Sequence, residues 1–563
     1  DNNQCSTWNI ISLYIMNIAG KIIDVHKKRI YPGIVTIKAG KIESVTETER
    51  SPDHFIMPGL ADAHVHIESS MLVPSHFAVA AVRHGTVAVV TDPHEIANVL
   101  GKEGVKFMLD NAENVPVKIV FGAPSCVPAT SLESAGAKIG SADIRELIEE
   151  GKVKFLAEMM NFPGVIYDDA EVHHKLEAAL NAGIPIDGHA PGLTGEELKK
   201  YISAGITTDH ECSSLEEALE KISGGMKILI REGSAARNLE VLAPLISYYP
   251  EKVMLCTDDL HPETLLRGHI NKLVARLISM DYNLFDVVRA ASVNTYEHYR
   301  ISAGTLRPGD PADFIIVDDP KTMNVLQTWI DGKCVFDGDK PLFSPGEIVK
   351  INKFKCTRLL PDEIRVINEG GKINLIVAVN GELTTDADIV QAGEGEFVAA
   401  RPEEDILKIV VKERYNDRPP AVAFIRGFGM KHGAMASSVA HDSHNIIAVG
   451  TNDRDIVNAI NLIVDAGGGM AVTSEDGAEI LKLPVAGIMA DLPVTAMAAR
   501  YEKLSETVRS LGCRLDAPFM TLSFMALLVI PKIKMSDRGL FDGLTFKHIP
   551  LFVPDPYSKY KTY

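Results

Sequence analysis

Cysteine is scarce in this sequence. Seven cysteines are scattered over 563 residues and none forms a C-x-x-C pair. That pattern fits a reduced, cytoplasmic protein better than a disulfide framework. Long apolar runs are also missing: none approaches the roughly 20 residues of a membrane span, so no membrane partner is expected. The first residues, "DNNQCSTWNIISLYIMN", lack a basic n-region and a small-residue cleavage site, and no signal peptide is read there. Positive charge is in deficit. Lys and Arg number 57 against 75 Asp and Glu, a formal charge of −18, which argues against a nucleic-acid backbone as the main partner. What remains is the composition of a globular protein, 46% hydrophobic and 23% charged, too long for one core and therefore of two or three domains.

The chain falls into three textures. "YIMNIAGKIIDV" and "GIVTIKAGKIESV" alternate apolar and polar residues around Gly20 and Gly40, as hairpins do, and the same texture returns at "GTLRPGDPADFIIVDD" and "VLQTWIDGKCVFDG". Neither flank buries much core alone, so residues 1–57 and 304–342 are expected to build one small β-sandwich domain. Between them, residues 58–303 alternate short apolar strands with helical stretches. Eight strands are predicted, at 62–67, 86–91, 117–121, 154–158, 184–189, 207–210, 227–231 and 253–257. Eight βα units in about 245 residues is the size of a TIM (β/α)8 barrel. The rival, an open doubly wound sheet, usually carries a Gly-rich loop after its first strand, and "HVHIESSML" has none. Residues 343–563 read as a separate C-terminal α+β domain, in which Gly467, Gly468 and Gly469 look like a helix stop and tight turn rather than a phosphate cradle.

The most informative local feature is His64-Val65-His66. On a strand, residues i and i+2 share a face, so both imidazoles can aim at one ion. Alone, H-x-H is equally a pair of ordinary histidines. The other strand ends change the reading, because a barrel places its active site at the C-terminal ends of its strands. There stand Asp92, His94 and Glu95 after the second strand, Glu158 in the fourth, His189 after the fifth, His210 and Glu211 after the sixth, and Asp258 and Asp259 after the eighth. Imidazole plus carboxylate suits Zn²⁺, Mn²⁺ or Fe²⁺. Four histidines and two carboxylates exceed the needs of one tetrahedral ion, so two divalent ions held by His64, His66, Glu158, His189, His210 and Asp258 are expected. Glu158 is the natural bridge, since an unpaired carboxylate in an apolar strand would be costly. Two such ions would acidify a shared water, and Asp258 would accept its proton and pass it to the leaving group. Asp259 reads as the N-cap of the following helix.

These pieces resemble the amidohydrolase superfamily and, within it, the bacterial adenine deaminase family. "PGLADAHVHIESSM", "GTVAVVTDPHEIANVLG", "IDGHAPGL", "AGITTDHE", "CTDDLHP", "AASVNTYEHY" and, in the last domain, "GFGMKHGAMASSVAHDSHNIIAVG" carry the resemblance, which spans nearly the whole chain. "DAHVH" marks only the superfamily; "VTDPHEIANV" and "AHDSHNI" are more specific. The resemblance implies hydrolytic deamination of adenine to hypoxanthine and ammonia, a step of purine salvage, with two Mn²⁺ or Fe²⁺ ions. Many superfamily members bridge their metals with a carboxylated lysine; Glu158 at that position disfavours a lysine-bridged hydrolase of cyclic amides. Catalytic roles then fall to Asp258, Glu158 and His210. His94, Glu95 and Glu211 are candidates either for ring contacts or for support of the metal histidines. His441, Asp442, Ser443 and His444, in "HDSHN", read as a segment closing over the substrate, with an ordinary loop as the alternative. The activated-water chemistry equally serves hydrolysis of a cyclic amide or an N-acyl amino acid, and an inactive binding protein of the same fold is the reading from another class. A homodimer is expected, as for many large metabolic barrels.

Overall fold

A computed structural model describes residues 15–234 and 236–554; the opening stretch read for a signal peptide lies outside them, apart from its last three residues. Three layers of architecture follow one another in space. An eight-stranded sheet takes strands from both flanks of the chain, in the order Lys340–Pro341, Lys333–Asp337, Val325–Ile330, Phe314–Val317, Phe55–Pro58, Met16–Asp24, Arg29–Lys38, Lys41–Glu47. Phe55–Pro58 is the seam, parallel to the first strand and antiparallel to Phe314–Val317. The sheet wraps a small core in which Phe314 stacks on Trp329 beside Ile22, Val35 and Ile56.

The barrel strands are β1 (Leu60–His66), β2 (Thr86–Thr91), β3 (Lys118–Ala123), β4 (Val153–Met159), β5 (Ile186–Gly188), β6 (Thr208–Asp209), β7 (Lys227–Arg231) and β8 (Val253–Cys256). Within β1–β5 and within β6–β8, successive strands pair in parallel. β1 and β2 are buried along their whole length, which is why they read as near-continuous apolar runs rather than alternating ones. Helices supply the crossovers. Ala170–Ala182 opens on Asp169, whose carboxylate accepts the Val172 N–H at 3.0 Å, and closes on Gly183 at φ +64°, the left-handed cap that glycine tolerates best.

Hydrogen bonding around the barrel is uneven. β1 to β5 form one continuous sheet, β6 to β8 another. Asp258 and Asp259 form a short strand of their own beside Val65 and His66, which closes β8 against β1. At the other seam a single backbone bond, Thr207 N–H to Ile186 C=O at 2.9 Å, links β5 to β6. Val90, Phe155, Ala157, Leu229, Met254, Cys256 and Tyr299 plug the interior, so the polar strand ends stand on an apolar floor.

The C-terminal domain is an eight-stranded sheet in the order Thr385–Gln391, Lys372–Ala378, Ala421–Arg426, Leu407–Lys412, Ile446–Gly450, Ala434–Ser437, Gly469–Ser474, Gly477–Lys482. Helix Asp453–Ala466 packs on one face and ends on Gly467 at φ +70°. The hydrophobic core is continuous between this domain and the barrel, and Leu72 pairs with Ala490 across the junction. The connection from Ala434–Ser437 to Ile446–Gly450, residues 438–445, is thereby held over the open end of the barrel.

Candidate metal centre and active site

β1 delivers His64 and His66 to the barrel mouth, β4 delivers Glu158, and the turns after β5 and β6 deliver His189 and His210. Four of these, with Asp258, are at most 5% exposed, and His189 keeps a side-chain exposure of 21%. Glu158 sits at the centre. Its Oε1 lies 3.3 Å from His66 Nε2, and its Oε2 lies 2.7 Å from His189 Nδ1 and 3.2 Å from His210 Nε2. Asp258 Oδ1 lies 3.2 Å from His66 Nε2 and 3.5 Å from His64 Nε2. The donor atoms of His64, His210 and Asp258 converge, as do those of Glu158, His189 and His210.

These spacings test whether a metal fits. Two donors each about 2.1 Å from one ion lie about 3.0–3.4 Å apart at octahedral to tetrahedral angles, close to most of the values found. His64 Nε2 is buried with no hydrogen bond, which leaves it available as a ligand. His66 donates from Nδ1 to the Asp92 carbonyl at 3.1 Å, which leaves Nε2 free, the arrangement by which supporting bonds orient metal histidines. The set therefore fits a pair of divalent cations bridged by Glu158.

The electrostatics agree. Burial opposes ionisation of Glu158, but His189, His210 and His66 hold its carboxyl well below the usual range. Burial likewise opposes the charge on Asp258, and the Arg231 guanidinium and the two β1 histidines outweigh it. Both carboxylates are thus kept ionised, the form a metal would need.

Comparison with known proteins adds the family. Residues 55–335 match the amidohydrolase family and residues 382–547 match the adenine deaminase C-terminal domain. The adenine deaminase of Methanosarcina mazei is 50% identical over 550 residues, covering 95% of this chain and 99% of that protein. Those of Methanosarcina barkeri and Salinibacter ruber are 51% and 47% identical, each over 95% of this chain and 98% and 99% of their own length. The chain belongs to the adenine deaminase family of amidohydrolases.

For a member of that family, the remaining polar residues take distinct places. His94 bonds the Asp92 carboxylate at 2.9 Å and stands 3.4 Å from Glu158 and 3.9 Å from Asp442, so it borders the candidate ligands. Glu95, at the start of helix His94–Leu100, receives hydrogen bonds from His441 Nδ1 on one oxygen and His444 Nε2 on the other. Asp442 Oδ2 is buried without a partner. Ser443 points elsewhere: its hydroxyl meets the Asn445 side chain, and its carbonyl accepts the Tyr415 hydroxyl at 2.7 Å. Glu211 is gripped at both oxygens by Arg231 and lies 3.3 Å from His210, beside a candidate ligand. Asp259 does not cap a helix. It accepts the Ser69 hydroxyl at 2.5 Å, and the next helix, Pro262–Arg267, begins after His261; the β1 pairing of Asp258 and Asp259 takes the segment out of cap geometry.

Arg231 is the principal residue missed by sequence reasoning. It closes β7, the one late strand end with no histidine or acid assigned, and donates to Asp258 Oδ2 at 2.5 Å. A lone arginine ending the apolar run "KILIR" was the available signal.

Proposed function

We propose that this chain deaminates adenine hydrolytically to hypoxanthine and ammonia at a paired divalent metal centre. The observation that carries it is Glu158, one buried carboxylate shared between His66 on one oxygen and His189 and His210 on the other, in a chain that adenine deaminases match along nearly their whole length. His64, His66 and Asp258 would hold one cation and His189 and His210 the other, with Glu158 common to both. Bound there, the cations supply Lewis-acid activation of water near neutral pH. Four imidazoles and two carboxylates suit Mn²⁺, Fe²⁺ or Zn²⁺, and the resemblance to adenine deaminases points to Mn²⁺ or Fe²⁺.

The protein side of the reaction follows from geometry. Arg231 occupies Asp258 Oδ2, which turns Oδ1 toward the site, where it accepts the water's proton and returns it to the departing amine. His94 and Asp442 stand at the edge of the ligand set and offer hydrogen bonds to ring nitrogens. The segment 441–444 closes the mouth and excludes bulk water, which keeps proton transfers within the site. The six described cysteines are all unpaired thiols, in keeping with a reducing, cytoplasmic setting, and no described helix is long and apolar enough to cross a membrane. Hydrolysis of a cyclic amide or N-acyl amino acid would use the same activated water; the family match to adenine deaminases over both domains favours the purine.

The test is the ultraviolet change on converting adenine to hypoxanthine, measured with Mn²⁺-loaded protein beside its metal content. Wild type should turn over adenine and retain two metal equivalents, and Glu158→Gln should lose both turnover and metal. A Glu158→Gln variant with full metal occupancy and wild-type rate would overturn the bridging role.

A further inference from the structure

Beneath the turns that carry His189 and His210 lies a buried cation that the reaction does not use. Lys221, in helix Leu215–Ser223, is fully buried. Its ammonium donates to the Ala190 carbonyl at 2.7 Å, to Asp209 Oδ2 at 2.9 Å and to Glu217 Oε1 at 2.7 Å, so all three N–H donors are spent. Asp209 completes the arrangement: its Oδ1 accepts the Ala190 N–H at 2.9 Å and its Oδ2 the Glu211 N–H at 3.2 Å. Glu217 accepts the Gly192 and Ser213 N–H groups at 2.8 and 3.1 Å. Both backbone polar atoms of Ala190, the residue after His189, are therefore tied to Asp209, the residue before His210, the N–H directly and the carbonyl through Lys221.

The location is what gives this weight. β5 and β6 span three and two residues, and the barrel's two sheets part between them, with the Thr207–Ile186 bond as the one backbone–backbone bond across the seam. Elsewhere a strand ladder fixes the relative height of neighbouring ligands. At this seam it does not: the Thr207 hydroxyl bonds the Ile186 carbonyl at 2.9 Å and the Thr208 hydroxyl bonds Asp187 Oδ1 at 2.8 Å below the ligands, while two neighbouring ligands of the proposed centre stand on its two sides. A buried ammonium is costly to desolvate, and hydrophobic replacements of buried ion pairs are often neutral or stabilising, so stability alone is a weak reason for Lys221.

We propose that Lys221 and Asp209 are a positioning pair, a clamp that stands in for the missing ladder and sets His189 and His210 at the separation needed by one of the two cations. The inference rests on the paired-metal reading. Its prediction is selective: loss of the clamp should weaken the cation held by His189, His210 and Glu158, and leave the His64, His66 and Asp258 side competent.

The experiment uses the full chain loaded with Mn²⁺. Metal retained after gel filtration is measured for wild type, for Lys221→Met combined with Asp209→Asn, which removes both charges together, and for Asp209→Asn alone, which keeps an oxygen for the Ala190 N–H. Melting temperature and adenine kinetics accompany each. Wild type should retain two equivalents. The double variant should fold and retain one, with kcat down by about 10–100-fold, KM within about threefold, and part of the rate restored by excess Mn²⁺; Asp209→Asn should show the same direction and a smaller loss. Wild-type protein that holds no stoichiometric metal overturns the paired-metal reading and the clamp with it. Two equivalents in wild type and two, equally tight, in both variants overturn the clamp alone, as does loss of both cations together. If the double variant does not fold, Asp209→Asn decides, and wild-type retention in it overturns the clamp.

Discussion

Replacement of His441 by alanine should cut adenine turnover without touching the metal. His441 comes from the C-terminal domain, its imidazole is 5% exposed, Nδ1 hydrogen-bonds Glu95 Oε1, and the ring stacks on Phe524 with centroids 4.6 Å apart. A hydrogen bond to a charged group contributes about 1.5–3 kcal/mol net. Glu95 would keep its second partner, His444, so the loss falls short of the ~3–5 kcal/mol of a fully stranded buried charge. Truncating the stacked ring adds about 1 kcal/mol. The domain contact over the barrel mouth should therefore weaken by about 2–4 kcal/mol. Because His441 is outside the metal ligand set, metal content should remain that of wild type.

Two assays read this. In a double-mutant cycle with Glu95→Gln, scored by thermal unfolding, the pair should couple by about 1.5–3 kcal/mol. In steady-state kinetics, kcat should fall at least about tenfold, roughly 1.4 kcal/mol, since closing groups act on the transition state. Coupling below about 0.5 kcal/mol together with unchanged kinetics in His441→Ala and His444→Ala would reduce the segment to an ordinary loop and refute the reasoning.

The same contact predicts a pH limb. Burial disfavours the imidazolium of His441, but Glu95 outweighs it and lifts the pKa to about 9, whereas burial drops His444 to about 4. With its folded pKa raised, His441 contributes stability that is fully present below its ordinary value of 6.5 and lost as pH rises through about 9; thermal melts of wild type should decline over that window and those of His441→Ala should lack the decline. Arg231→Met should strand two buried carboxylates, Asp258 and Glu211, and lower metal-free stability by about 3–5 kcal/mol along with kcat, so an unchanged melting temperature and rate would be evidence against the pinning of Asp258. Adenosine should be a poor substrate, with kcat/KM at least about 100-fold below that of adenine, equivalent to roughly 2.7 kcal/mol, because a mouth closed by residues 441–444, as proposed, would exclude a ribose at N9; comparable values for the two would show that the mouth is open.

Much of this was legible in the sequence because metal chemistry restricts residue types and a parallel barrel restricts their position. His64 and His66 announce a shared strand face, and a lone Glu158 in an apolar strand announces a partner. Strand limits moved by a residue or two, as at β5, expected over 184–189 and found at Ile186–Gly188; the turn after it is held by Asp209 and Tyr201 side chains instead of by a ladder, which an apolar pattern does not encode. Asp259 misled because its acid-Leu-His-Pro context imitates a helix start, while its pairing partner His66 lies far away in sequence.

What stayed hidden were contacts whose partners are set by closure. Arg231 and Asp258 are 27 residues apart, and Glu95 and His441 are 346 apart. Nothing local distinguishes Lys221 from the other lysines of amphipathic helices: it closes an i,i+4 pair with Glu217, which on an exposed helix would count for a few tenths of a kcal/mol. Burial changes its meaning. Lys221 turns inward to the turns after β5 and β6, where the same ammonium meets a backbone carbonyl and a second carboxylate between two proposed metal histidines. Sequence patterns name the ligands of such a centre. The residues that hold those ligands at the right height appear only where the sheet that should have held them is interrupted.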